Sequence, residues 1–191
     1  MSAHATILHS DMNYAYLLTG KPGIEKTTTI KALIERIGVE HCGGFYTEEI
    51  RVQETRVGFR LVTLGGQTGI FAHIKSESPL RIGHYGVNLD CLESLGIAAI
   101  KQAIEMKKLV VIDEIGPMEL YSERFKRSVM DILNSPHLIL GTIALKAHPW
   151  LDALKQKEGV LLYTLTQDNQ SIVINTLAHI MNFDNRMQQY S

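Results

Sequence analysis

The chain has 191 residues, of which 45% are hydrophobic, and its formal net charge is −1. That hydrophobic content excludes a disordered chain, and the length suits one domain, so we expect residues 1–191 to form a single domain. The near-zero charge provides no bulk attraction to nucleic acid or to an anionic membrane, so we expect neither as a partner.

The first predicted elements flank a glycine-containing turn. Residues 14–19 form an apolar run that stops at Gly20, which predicts a buried strand. Residues 27–37 predict a helix, because their apolar side chains recur at helical spacing and most of their charged side chains lie opposite. Gly38 stands where a glycine commonly ends a helix. The turn therefore joins a strand to a helix.

Three short segments of alternating character come next, at residues 45–50, 57–64 and 70–74. Glycines at positions 65, 66 and 69 separate the last two segments. This pattern is typical of antiparallel strands joined by tight turns. We therefore predict an antiparallel β-meander, inserted after the first helix at about residues 43–75.

The second half of the chain returns to alternating helices and strands. Ser122 is a suitable N-cap for one of the helices. The predicted order is helix 92–106, strand 109–113, helix 123–133, strand 138–143, helix 150–157, strand 160–166 and helix 171–181. Such alternation predicts parallel β-α units with right-handed crossovers, and hence an α/β fold with a mostly parallel sheet flanked by helices.

Cysteine content and the lack of targeting signals indicate the compartment. Cys42 and Cys91 are far apart and form no CxxC pair, which favours free thiols in a reducing environment. No segment reaches the roughly 18 apolar residues of a membrane span, and the first residues lack the pattern of a secretory signal. We therefore expect a cytoplasmic protein, and we also expect a monomer.

The turn after the first strand is nearly a phosphate-binding loop, or P-loop. That motif requires Gly, four residues, Gly, Lys and then Ser or Thr; Gly20, Lys26 and Thr27 match it, whereas Glu25 stands at the second glycine. Backbone N–H groups of the loop and the helix N-terminus would bind phosphates, and Lys26 would contact the β- and γ-phosphates. The hydroxyl of Thr27 would bind Mg²⁺, and Thr28 would lie near the α-phosphate.

An acidic pair ends the strand at residues 109–113. A carboxylate at the carboxyl end of a parallel strand faces the ligand crevice of an open α/β sheet, where Asp113 would hold Mg²⁺ through water. Glu114 follows directly and would orient or deprotonate an attacking water molecule. We therefore assign Lys26 and Glu114 as catalytic residues and Thr27 and Asp113 as metal ligands.

Glu25 brings a Cβ atom and a negative charge to a position where glycine lets the backbone approach phosphate. At about 4 Å and an effective dielectric constant of about 20, one phosphate charge would repel it by about 4 kcal/mol, a thousandfold loss of affinity. Two alternatives stay open: the carboxylate turns towards water at little cost, or it folds onto the helix N-terminus and occupies the anion site. We expect impaired turnover without loss of the fold.

Several longer segments resemble the small thermophile and cancer-related nucleoside triphosphatases. They are residues 44–51, 56–59, 62–64, 81–87, 113–120 and 141–143, and the similarity extends over roughly residues 16–177. The resemblance implies a RecA-like P-loop domain that slowly hydrolyses ATP, GTP and other nucleoside triphosphates with Mg²⁺. The nucleotide-binding positions are Gly20, Lys21, Pro22, Gly23, Ile24, Glu25, Lys26, Thr27, Thr28, Val110, Val111, Ile112, Asp113, Glu114, Ile115 and Gly116.

Three residues depart from the family pattern: Glu25, His84 in place of a lysine, and Gln170 in place of an arginine. Two other functions stay open. One is a nucleotide-binding or regulatory module with little turnover, which Glu25 would explain. The other is a nucleoside or nucleotide kinase on the same fold, which would need an arginine-rich lid over its acceptor. Individually, the loop could also be an ordinary turn and the acidic pair a solvated strand end.

Overall fold

The computed structural model describes residues 15–188, and their side chains as far as residue 181. The strands are β1 (Ala15–Thr19), β2 (Cys42–Val52), β3 (Thr55–Thr63), β4 (Thr68–His73), β5 (Arg81–Ile82), β6 (Tyr85–Val87), β7 (Leu109–Ile115), β8 (Ile139–Ile143) and β9 (Val160–Thr164). The helices are α1 (Lys26–Ile37), α2 (Leu89–Cys91), α3 (Ile97–Glu105), α4 (Glu123–Leu133), α5 (Pro149–Lys155) and α6 (Gln170–Gln188). Residue 14 of the first predicted strand lies outside the described residues.

These strands form one sheet in the order β5-β6-β4-β3-β2-β7-β8-β1-β9. β2, β7, β8, β1 and β9 run parallel, and the remaining strands extend the sheet in antiparallel pairing. β2 belongs to both parts, because residues 42–46 pair with β7 and residues 45–52 pair with β3. The predicted fold class, with a parallel sheet and an antiparallel meander, is confirmed.

Helices cover both faces of the parallel strands. α1 and α6 bury apolar side chains on one face, among them Leu33 and Leu177. α3, α4 and α5 cover the opposite face, where Ile100 and Phe125 belong to a second buried cluster. The carboxyl ends of the strands therefore remain the place where loops can form a ligand crevice.

Two predicted helix ends are confirmed by their capping hydrogen bonds. Gly38 ends α1 with φ 99°, and its N–H donates to the carbonyl oxygen of Ile34 at 2.9 Å. Ser122 caps α4, because its Oγ accepts a hydrogen bond from the N–H of Phe125 at 3.0 Å. The first cap fixes where the chain leaves the P-loop helix and turns towards β2.

The antiparallel part of the sheet extends further than the sequence predicted. The three predicted segments form β2, β3 and β4, but an unpredicted hairpin of β5 and β6 continues the sheet as far as Val87. The predicted helix from residue 92 begins earlier, with α2, and a π-helical segment at Leu92–Gly96 joins α2 to α3. Within residues 15–188, no helix is both long and apolar enough to cross a membrane.

Candidate nucleotide site

The P-loop connects β1 to α1 and is held close to the strand end by a glycine. A Cβ atom on Gly20 would lie 2.8 Å from Cγ2 of Ile24 and 3.0 Å from the carbonyl oxygen of Leu165, so a larger residue would displace the loop. Gly23 has φ 81°, a conformation that glycine adopts without strain. The exposed residues Lys21 and Pro22 complete the turn. The loop is therefore tightly folded around the N-terminus of α1.

Glu25 occupies the last position before α1 in a left-handed conformation, with φ 55° and ψ 43°. Its side chain is exposed and makes no capping hydrogen bond to the helix. Of the three alternatives for this residue, the structure shows the carboxylate turned towards water and not folded onto the helix N-terminus. Its backbone lies in the left-handed region, which favours glycine.

Asp113 is the buried acid of the site, with a side chain 1% exposed. Its Oδ1 accepts a hydrogen bond of 2.5 Å from the hydroxyl of Thr142, which lies on the neighbouring strand β8. Its Oδ2 is buried and has no hydrogen-bond partner within the described region. One carboxylate oxygen is thus fixed by the protein and the other is left for a ligand.

The loop and the acidic strand lie close together, as the motif predicts. Burial raises the pKa of Asp113, and the nearby Thr27 hydroxyl and Lys26 ammonium oppose that rise, as does the Thr142 hydroxyl. Burial also raises the pKa of Glu114, and Lys26 again lowers it. Lys26 therefore acts electrostatically on both acids, and a ligand between them would contact the lysine and the carboxylates together.

The other β7 residues that were predicted to bind nucleotide lie in the buried interior of the protein. The side chains of Val110, Val111, Ile112 and Ile115 are at most 1% exposed and lie in the hydrophobic core. Gly116 is also buried and follows the strand directly. These residues support the strand that carries the acids. In the loop, Thr28 is exposed and Ile24 is half-buried.

A divalent metal fits the residues between the loop and β7. The unpartnered Asp113 Oδ2 and the nearby Thr27 hydroxyl are hard oxygen donors of the kind that Mg²⁺ binds. Residues 15–188 contain no group of three His, Cys, Asp or Glu side chains suited to a metal. A site with few protein ligands is what Mg²⁺ uses when water and phosphate oxygens complete its shell.

Sequence reasoning missed three residues that support the site. The side-chain amide of Gln170 donates a 2.8 Å hydrogen bond to the carbonyl oxygen of Ile24, and so ties α6 to the P-loop. Thr142 fixes Asp113, and Glu119 is a buried acid beyond β7. The sequence showed Gln170 only as a departure from the family pattern, which gave no indication of this contact.

Four arginines whose charge could in principle stabilise a transferred phosphate are engaged elsewhere. Arg51 and Arg56 pair with Glu49, Arg124 pairs with Glu93, and Arg81 donates to backbone carbonyl oxygens. Such surface pairs contribute little to stability, but they direct these cations towards other partners.

Comparison with known proteins agrees with this geometry. The NTPase family model matches residues 15–178. Nucleoside-triphosphatase THEP1 of Thermotoga maritima is 38% identical over 173 residues, which cover 91% of this chain and 98% of the relative. A mouse protein named cancer-related nucleoside-triphosphatase homolog is 33% identical, covering 89% and 97%. The crystal structure of THEP1 from the hyperthermophile Aquifex aeolicus superposes with a TM-score of 0.81 at 33% identity, covering 87% of this chain and 98% of that one. The chain therefore belongs to the NTPase family of P-loop proteins.

Proposed function

We propose that this protein is a slow, Mg²⁺-dependent nucleoside triphosphatase that converts ATP, GTP and related nucleotides to the diphosphate and phosphate. The observation that carries the proposal is the meeting of Lys26 and Thr27 with Asp113 and Glu114 at one crevice. Family membership and the names of the relatives support hydrolysis as the reaction. We further propose that it acts as a single-domain monomer in the cytoplasm.

Each group has a separate task in this proposal. Backbone N–H groups of the loop from Gly20 to Thr28 bind the phosphate oxygens, and Lys26 stabilises the negative charge that grows as the γ-phosphoryl group leaves. Glu114 orients the attacking water and accepts its proton on a carboxylate oxygen. Burial raises the pKa of Glu114, which makes that carboxylate a stronger base than an exposed glutamate.

Thr27 and Asp113 would hold the metal, which when bound polarises the β- and γ-phosphate oxygens. Thr142 keeps the Asp113 carboxylate in one orientation by donating to its Oδ1. This arrangement separates metal binding from water activation, because Asp113 and Glu114 are adjacent but have different environments: Asp113 is fully buried and Glu114 is partly buried.

Phosphate release from ATP, measured against Mg²⁺ concentration, tests the proposal. Lys26→Ala should lower kcat/KM by about a hundredfold or more, whereas Lys101→Ala, an exposed lysine on α3, should not. Glu114→Gln should lower kcat with nucleotide affinity retained, and Glu105→Gln is its matched control on an exposed helix end.

The same experiment separates the alternatives. Tight nucleotide binding by the native chain with no phosphate release would favour a regulatory binding module. Transfer of labelled γ-phosphate to a nucleoside in place of water would favour a kinase. Full activity of both Lys26→Ala and Glu114→Gln would refute the assigned roles.

A further inference from the structure

A cavity of about 130 Å³ lies between the antiparallel strands and the loop that follows β7. Its walls are largely apolar: Phe59, Phe71 and Ile82 line it from β3, β4 and β5, and Pro117 and Met118 line it from the loop. An apolar cavity of about 150 Å³ in another protein holds one benzene molecule. This cavity is therefore close to the size of one six-membered ring.

Two acids form the polar end of the cavity and converge on a glycine. The point where a Cβ atom of Gly116 would stand is 3.3 Å from Glu114 Oε1 and 3.2 Å from Glu119 Oε2. Glu119 is 4% exposed, and its Oε2 accepts the N–H of Gly116 at 3.1 Å. The Glu114 carboxylate accepts no hydrogen bond from the described residues, although it lines the cavity.

The environment of these acids favours a ligand that donates hydrogen bonds. Burial and, second to it, the neighbouring charge of Glu114 together raise the pKa of Glu119 to about 8. The two acids lie too close to carry two negative charges at low cost, so an added anion is disfavoured, whereas a cationic or N–H donor would bind the Glu114 carboxylate and relieve the repulsion between the pair. A pocket with apolar walls and a few convergent polar groups is typical of a small-molecule site.

We propose that this cavity is a second binding site, separate from the phosphate-binding loop, for a small organic amine with a ring-sized apolar body. The amine contacts Glu114 and Glu119, and the ring packs between Phe59, Ile82 and Met118. Glu114 also faces Lys26 at the nucleotide site, so the two sites share one carboxylate. A ligand in the cavity therefore restrains the residue assigned to activate water, and the cavity lining includes no residue of the phosphate-binding loop from Gly20 to Thr28.

Ligand-observed NMR titration of the full chain with three probes of the same ring size tests the inference. Benzylamine should bind with a dissociation constant on the order of 1 mM, benzyl alcohol more weakly, and benzoate not detectably. Ile82→Trp should fill the cavity and weaken benzylamine binding at least tenfold. Ile172→Trp, the same exchange at a position 65% exposed on α6, should bind benzylamine like the native chain.

If Ile82→Trp lowers the melting temperature, Met118→Trp serves as a second variant in which a tryptophan side chain should fill the same cavity. Three outcomes would each overturn the proposal. They are equal binding of benzoate and benzylamine, undiminished benzylamine binding by both tryptophan variants, and no saturable binding of benzylamine. Because binding is read without turnover, an inactive hydrolase would leave this test intact. In an active enzyme, benzylamine should lower kcat for ATP and leave the nucleotide KM unchanged.

Discussion

Replacing Glu25 by glycine tests how the protein forms a P-loop without the second glycine of the motif. Glu25 has φ 55° and ψ 43°, and its side chain is exposed. Its carbonyl oxygen accepts hydrogen bonds from the N–H and the hydroxyl of Thr29, so the backbone at this position is part of the first helical turn. Glu25→Gly keeps that backbone and removes both the Cβ atom and the charge.

The two effects of the change have different magnitudes. Left-handed backbone costs a residue with a Cβ about 1 kcal/mol relative to glycine, so the variant should melt about 2–4 °C higher. A carboxylate turned to water, about 8 Å from a phosphate charge at a dielectric constant of about 80, repels it by about 0.5 kcal/mol. For about three phosphate charges, screened by physiological salt, the affinity gain is about 2–5-fold.

Calorimetric titration with a non-hydrolysable triphosphate and Mg²⁺, at low and high salt, measures the charge effect. Glu25→Gln is the control, because it removes the charge and keeps the Cβ atom. Both variants should bind more tightly at low salt, and only Glu25→Gly should gain thermal stability. A gain of a hundredfold or more would mean that the carboxylate faces the phosphates, and an unchanged melting temperature would refute the backbone strain.

Three further changes test other parts of the structure. Glu119→Gln should flatten the pH dependence of the free energy of unfolding. Because the pKa of Glu119 is raised from 4.5 to about 8, the native chain loses stability as the pH rises between those values. Urea denaturation should therefore show that the variant becomes increasingly more stable than the native chain towards pH 8. Gln170→Ala removes the bond to Ile24 and should weaken nucleotide binding about fivefold, with recovery in Gln170→Arg, by the same titration. Gly44→Ala should cost about 3 kcal/mol or more in chemical denaturation, because φ is 108° and the new Cβ would lie 2.1 Å from the Val111 carbonyl oxygen.

The regular elements could be predicted because their signals are local. α1 and α4 have apolar residues at helical spacing, and Gly38 and Ser122 mark the end of one and the start of the other. The hairpin of β5 and β6 has strands of two and three residues, too short for any side-chain period. Its pairing with β4 depends on backbone groups that no sequence pattern describes.

Some residues of the candidate site could likewise be predicted from the sequence, and others could not. Lys26, Thr27 and Asp113 belong to short motifs whose chemistry can be interpreted directly from residue type and spacing. The contact between Gln170 and Ile24 joins residues 146 positions apart, and it exists only because β9 and β1 are neighbours that bring α6 to the loop. Thr142 likewise meets Asp113 only because β8 lies beside β7.

The strand order determines how the carboxylate of Asp113 is held. β8 lies between β1 and β7, so the strand that carries the loop and the strand that carries the acids are about 10 Å apart. The loop and the acids therefore reach the crevice at the carboxyl ends of the strands from either side of β8. The middle strand supplies the Thr142 hydroxyl, which holds Oδ1 of Asp113 within the sheet. Among the described residues, the other carboxylate oxygen of Asp113, Oδ2, is buried without a hydrogen-bond partner and is therefore available to a ligand in the crevice.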